Sequence, residues 1–308
     1  MLRRGSSALA SAGAARSSLA AAAPRWSGGR RTLSVETSAK LPEGFLPYTL
    51  LEKRDASPSA KVLRFALPHG EALGGGGRSA PTGVKVLLPG TALEKSYSPV
   101  SHPALEGSFD LLVRAYPPRP GGGLGAYLCD LEPGGSAAMK VKPPRASFLC
   151  GGPLTQNRWD HLGLVACGTG LAPFVQVIRQ VLGDPGDRTR LSLVYVNREE
   201  EEILMRSELE ELQALHSERL QVSLALTRPG GSWLGAQGRP DEDMLREHLP
   251  PPGPGTLVLV CGTDGFVESV AGPIQRIKGP DGGKKKLQGP LGGVLARLGY
   301  TASMVHKF

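Results

Sequence analysis

The sequence predicts two domains, an antiparallel β-barrel followed by an α/β domain on an open parallel sheet. Three observations carry this. Short β-like segments separated by turn clusters fill residues 46–141. After residues 143–157, rich in Pro and Gly, the pattern changes to strand–helix alternation. At its head a glycine turn, Gly168-Thr169-Gly170, joins an apolar run directly to an amphipathic stretch.

The first half is justified strand by strand. Residues 48–51, 61–67, 84–88 and 109–116 alternate or carry β-formers. Turn clusters at 74–77, 103–107 and 117–123 separate them, and 125–130 reads as a short helix. The barrel is therefore placed at 45–147 and the second domain at 157–308. In the second domain strands are expected at 162–166, 191–196, 220–227 and 257–260. Helices are expected at 174–182, 203–217, 242–248 and 267–277, with a last short one at 291–298. Residues 281–286 read as a charged glycine loop. Such sheets bind ligands in the crevice outside the carboxyl ends of their strands.

Composition narrows the function. The 308 residues carry a net charge of +8, but residues 1–35 hold six arginines and no acid. The remainder has 30 basic and 28 acidic residues, a net of +2, which gives no basis for nucleic-acid binding. The Ala-, Ser- and Arg-rich residues 1–35 read as a mitochondrial-type transit peptide, with a plastid address as the second choice. No window approaches the ~18 apolar residues of a membrane span. The expectation is a monomer, soluble or peripheral to a membrane. Cys129, Cys150, Cys167 and Cys261 form no C-x-x-C pair, and His161 and His216 lack metal-ligand spacing, so no metal is expected.

Four segments carry chemistry. Gly168 and Gly170 let the backbone approach a ligand closely, and Thr169 adds a hydroxyl. Pro173 sits where a helix start tolerates proline, and the free N–H groups there favour an anion such as a pyrophosphate. An ordinary strand–helix corner gives the same short pattern. Upstream, Lys95-Ser96-Tyr97-Ser98 combines a cation for a diphosphate, a ring for a flat ring system and a hydroxyl donor. Downstream lie Cys261-Gly262-Thr263-Asp264-Gly265-Phe266, then Leu298-Gly299-Tyr300 and Met304-Val305-His306-Lys307-Phe308.

In this order the four segments resemble the ferredoxin-reductase-like flavoproteins, and most of all the NADH–cytochrome b5 reductase family, over residues 45–308. The resemblance implies FAD in the barrel and NADH on the sheet. It implies that Tyr97 and Ser98 contact the isoalloxazine and Lys95 the FAD pyrophosphate. Gly123 and Gly125 correspond to the segment near the FAD phosphates, and Arg114 and Tyr116 to a basic and an aromatic position near the cofactors. Gly168, Thr169, Gly170, Pro173 and Gly262 would receive the dinucleotide. Cys261 would orient the nicotinamide, so Ser98 and Cys261 are the catalytic candidates. Glu202, in the acidic run 199–202, would accept from the ribose hydroxyls and repel a 2′-phosphate. The chain departs from the family at Lys95, where most members carry Arg, at Gly125, usually Ser, and at Cys167, usually Gly.

The resemblance implies hydride transfer from NADH to FAD, then single electrons to a haem protein such as cytochrome b5. Two other readings compete. Some mitochondrial relatives are assembly factors that keep haem or a c-type cytochrome precursor reduced, and a tight complex with an apocytochrome identifies that case. Alternatively, the three departures leave a non-enzymatic binding module, marked by absence of flavin after purification. Lys284 to Lys286 would steer an acidic partner, although such a run also serves as a solvated loop.

Overall fold

Strand alternation builds the first half. The computed structural model describes residues 41–67, 70–73, 83–102, 104–116, 123–142, 155–278 and 284–308. The transit segment 1–35, most of the boundary stretch (143–154), the glycines at 282 and 283, and Cys150 lie outside the described residues.

Six antiparallel strands form the barrel. They are β1 (Leu46–Ser57), β2 (Ala60–Ala66), β3 (Val84–Leu87), β4 (Glu94–Tyr97), β5 (Ser108–Arg114) and β6 (Ser136–Val141). Helix α1 (Leu124–Asp130) precedes β6. The order is β4-β3-β6-β1-β2-β5. Just past β4, Pro99 bridges Leu111 on β5, and the Val100 N–H donates to the Asp110 carbonyl at 2.8 Å. These contacts join the two edges, so the ring closes immediately after Ser98. Alternate residues point inward: Leu63 and Phe65 from β2, and Phe109, Leu111 and Val113 from β5, are fully buried. Phe65 and Phe109 stack with centroids 5.9 Å apart.

The second half is a parallel sheet covered on both faces. Its elements are β7 (His161–Cys167), α2 (Ala172–Leu182), β8 (Arg190–Asn197), α3 (Arg206–Leu215), β9 (Leu220–Leu226), β10 (Ala236–Gln237), α4 (Glu242–His248), β11 (Thr256–Cys261) and α5 (Asp264–Ala271). They continue with β12 (Gln275–Lys278), β13 (Lys284–Leu287), α6 (Gly293–Arg297) and β14 (Val305–Lys307). The sheet order is β10-β9-β8-β7-β11-β14, all parallel. β7, β8 and β11 are nearly continuous apolar runs, as strands buried on both faces require. Helices α2 and α3 pack on one face, and α4, α5 and α6 on the other. The first of these cores also takes in Ala60, Val62, Val100 and Leu112 from the outside of the barrel. Part of the seam between barrel and sheet is thus apolar and buried.

Three expectations are corrected. The helix expected over 267–277 stops at Ala271, because Gly272 takes a φ of +85° and Pro273 follows. Gln275–Lys278 is instead a strand, paired antiparallel with β13, so Lys284 to Lys286 belong to a hairpin rather than a loop. The helix expected over 203–217 begins only at Arg206. Met205 sits at a φ of +56°, and Glu200–Glu202 form a separate 3-10 turn. The hairpin is anchored by Lys307, which is 4% exposed. Its Nζ donates to the carbonyls of Pro290 at 2.8 Å and Pro273 at 2.9 Å, and reaches those of Ala271 and Gly289 at 3.4 Å. A buried ammonium needs such a cage to offset its lost hydration.

At the start of β7, His161 Nε2 lies 2.8 Å from the Ser192 hydroxyl. Burial, and then Arg190, lower its pKa below the ordinary 6.5. The folded state therefore favours the neutral ring. That contribution is complete above about pH 6.5 and is lost as the pH falls towards the folded value. The thermal midpoint is expected to drop between pH 7 and pH 5, and His161→Gln to flatten the drop. An unchanged slope in the variant would assign the acid sensitivity elsewhere.

Candidate functional site

The glycine turn is placed by a contact between two backbones. β7 ends at Cys167, Gly168 takes a φ of +51°, and residues Gly168–Leu171 make one 3-10 turn before α2. A Cβ on Gly170 would lie 2.4 Å from the Cys261 carbonyl oxygen and 2.9 Å from the Gly262 Cα. Only glycine allows that approach. β7 and β11 are paired with Ala166 opposite Cys261, so both strands end at one level. Gly168, half-buried Thr169 and Gly170 therefore share a crevice with Cys261 and Gly262. Pro173 occupies the first turn of α2, whose N-terminus carries no side-chain cap. The Ala172 N–H donates to the Thr169 carbonyl and Pro173 has no N–H, so an anion would meet the N–H groups of the preceding 3-10 turn rather than those that open α2.

The two cysteines at the strand ends face opposite sides of the sheet. Cys261 packs with the cluster that holds Phe174 and Phe308, and Cys167 with the cluster that holds Phe266 and Val260. Phe308 meets Phe174 edge-on at 5.5 Å, and its N–H donates to the Val260 carbonyl at 2.9 Å. Burial pushes the Cys261 thiol up to about 12, with Lys286 pulling weakly the other way. Cys261 is therefore a neutral thiol at physiological pH, suited to packing and orientation rather than nucleophilic attack. Burial also raises Cys167, whose Sγ would lie 2.5 Å from a Cβ on Gly262. Thus Cys167 fills the space above Gly262 on the far face.

The barrel presents its motif on the edge strand β4. Lys95 is exposed and has no acidic partner among the described residues. Tyr97 is half-buried against the barrel core, and burial raises its phenol. Ser98 is half-buried at the point where the ring closes. Tyr116 is 52% exposed beyond β5. Gly123 caps the N-terminus of α1 without a side-chain bond. A Cβ on Gly125 would sit 2.4 Å from the Arg114 carbonyl oxygen, so the departure from serine here comes with α1 pressed against the end of β5. A free cation, a partly covered ring and a hydroxyl along one edge suit a flat ring with a diphosphate.

Glu202 lies in the turn after β8, and its carboxylate meets the barrel. Its Oε2 accepts from Ser59 Oγ at 2.7 Å, Arg114 Nη2 at 2.8 Å and Ser57 Oγ at 3.0 Å, all from the barrel. Arg114 and Glu202 side chains are each 17% exposed. One carboxylate oxygen is thus engaged in a clasp across the seam. Its neighbour Glu200 pairs with Arg206 at 2.5 Å, and Glu199 and Glu201 are exposed. The clasp holds the Arg114 guanidinium within 4.0 Å of where a Cβ on Gly168 would sit. Arg114 Nε and both amide atoms of Asn197 are buried with no hydrogen-bond partner in the protein. Two donors and an acceptor left unpaired beside the glycine turn fit a polar ligand such as a dinucleotide.

Sequence reasoning missed Asn197, Ser57, Ser59 and Gln176. Asn197 ends an apolar strand, and Gln176 interrupts the apolar start of α2. A polar residue closing or breaking an apolar run was the available signal. The two serines carry no such mark.

Residues 47–149 match the family described as an oxidoreductase FAD-binding domain, and residues 164–272 that described as an oxidoreductase NAD-binding domain. The chain is 32% identical over 289 residues to NADH-cytochrome b5 reductase 2 of Homo sapiens, covering 87% of this chain and 95% of that one. It is 33% identical over 272 residues to the NADH-cytochrome b5 reductase-like protein of Arabidopsis thaliana, covering 87% and 77%. The crystal structure of the cytochrome b5 reductase domain of Ulva prolifera nitrate reductase superposes with a TM-score of 0.68 at 25% identity, covering 87% and 98%.

Glu202→Ala should lower the unfolding free energy by about 2 kcal/mol, the scale of hydrogen bonds to a charged group. In an Arg114→Met background the same change should cost clearly less, as a double-mutant cycle in denaturant would register. An undiminished cost would mean that the pair is not coupled.

Proposed function

The chain belongs to the NADH–cytochrome b5 reductase family, and on that premise we propose that electrons from NADH leave it one at a time to a haem protein. It is an NADH-dependent oxidoreductase with FAD and NADH as its cofactors. The observation that supports the NADH-to-FAD half of this reading is the shared seam. The Tyr97–Ser98 edge of the barrel runs straight into Pro99 and Val100, which dock on the helix that leaves the glycine turn.

Bound FAD supplies the conversion of a two-electron input into one-electron outputs, which no side chain performs. The protein's part is binding, orientation and exclusion of water. Lys95 serves the FAD diphosphate as a point charge, with the N–H groups around Gly123 and Gly125 beside it. Tyr97 would cover the ring and Ser98 would hydrogen-bond its redox edge. Gly168, Thr169, Gly170 and Gly262 would receive the NADH pyrophosphate on bare backbone, with Pro173 opening the helix beside them. Cys261, as a neutral thiol, would line the nicotinamide and help to orient it. Arg114 adds a cation at the same turn, with Glu202 as its tether, and Tyr116 stands exposed at the rim. With Glu202 engaged by the barrel, disfavour for a 2′-phosphate rests on the acidic run 199–202 as a whole.

The acceptor named for the human relative is cytochrome b5, and a haem protein of that kind is the proposed partner here. The arginine-rich, acid-free residues 1–35 support a mitochondrial address. Among the described residues no helix is long and apolar enough to cross a membrane. The proposed form is a monomer, with any membrane association peripheral.

An anaerobic visible spectrum of the purified protein tests the reading. Yellow flavin bands should bleach with NADH, and less readily with NADPH, and added ferric cytochrome b5 should then be reduced. A flavin that NADH bleaches but whose electrons never reach the haem would overturn the acceptor. Separately, Cys261→Ala should slow flavin reduction while leaving FAD bound. An unchanged rate would reduce Cys261 to packing.

A further inference from the structure

Helix α2 begins at the glycine turn and, within two turns, touches the other cofactor's motif. Gln176, 3% exposed, donates from Nε2 to the Pro99 carbonyl at 2.5 Å. One turn on, Arg179 Nη1 donates to the Val100 carbonyl, and its Nη2 pairs with Glu208 on α3. Pro99 and Val100 directly follow Ser98, and both are locked to β5 by the ring closure. Gln176 follows Gly170 by six residues along a rigid helix. Thus a short, stiff path links Ser98, proposed above for the flavin's redox edge, to the turn proposed for the nicotinamide dinucleotide.

We propose that Gln176 and Arg179 are positioning residues for hydride transfer. They set the spacing between flavin edge and nicotinamide, and neither touches a cofactor. The physical case has two parts. The apolar seam is non-directional, so burial alone lets the barrel slide or tilt on the sheet at little cost. Hydrogen bonds to two successive carbonyls fix both direction and distance. Hydride transfer needs the reacting atoms within about 3–3.5 Å, and a misplacement of about 1 Å can cost a hundredfold in rate. A buried glutamine is also costly unless its amide is paired, so apolar packing alone does not explain it.

The proposal rests on NADH reducing bound FAD, and the unaltered protein tests that premise by itself. If its flavin ignores NADH, the functional reading fails before any variant is made. The clamp is tested with Gln176→Leu, Arg179→Met and the conservative Arg179→Lys in the full chain. Stopped-flow flavin reduction is followed with NADH and with NADH deuterated at C4, alongside FAD content and thermal midpoint. The limiting reduction rate should fall about tenfold or more in the first two variants. The NADH dissociation constant should move less than about threefold, the deuterium isotope effect should change, and Arg179→Lys should recover most of the rate. If Gln176→Leu does not fold, Gln176→Asn keeps the amide but shortens its reach, and should show the same slowed step. Flavin-replete variants reduced within twofold of the unaltered rate would overturn the proposal. So would a loss lying wholly in NADH affinity, or one that tracks FAD content.

Discussion

The backbone contact between Gly170 and Cys261 governs the rest of the site. No side chain fits between them, since a Cβ would be 2.4 Å from a carbonyl oxygen. Because β7 and β11 are paired in register and end together, the turn after one strand rests on the last residue of the other. That seating sets where α2 starts and in which direction it leaves. Its direction decides what its first polar side chains reach, and they reach the barrel just past Ser98. A methyl group at position 170 would therefore disturb the crevice and, through α2, the seam.

The seam divides its labour between two kinds of force. Ala60, Val62, Val100 and Leu112 bring barrel surface into the core beneath α2, which holds the halves together without specifying their angle. Orientation comes from polar clasps at two places. Glu202 collects Ser57, Ser59 and Arg114 near the glycine turn. Gln176 and Arg179 grip the ring closure. Gln176 is 3% exposed, and the Arg114 and Glu202 side chains 17% each, so these bonds are worth more than the same bonds on an open surface.

Much of this was legible in the sequence. The parallel strands β7, β8 and β11 announce themselves as apolar runs, because both of their faces are covered. The glycine turn reads from its place between an apolar run and an amphipathic stretch, together with the segments that accompany it in order. What stayed hidden depended on partners far along the chain. The β12–β13 hairpin looked like the tail of a helix and a charged loop, since Gln, Arg and Lys carry no strand signal. The acidic run 199–202 had a plausible local meaning at the end of β8. Only the folded chain brings Ser57 and Ser59, more than 140 residues away in sequence, to Glu202. A sequence states the charge of a carboxylate but not which donors will have taken it. The close packing at Gly125 is equally silent, because its reason is the carbonyl of Arg114.

The back-to-back setting of Cys167 and Cys261 has a chemical consequence for how the site ages. Cys261 shares a level with Ala166, and Cys167 points away through the opposite face. Two sulfurs divided by a sheet cannot close a disulfide without moving backbone. A peroxide that reaches Cys261 therefore meets no resolving thiol from its neighbour. Its sulfenic acid would stay open to further, irreversible oxidation. The same burial that keeps the thiol protonated is then its principal protection, since the thiolate is the form that oxidants attack.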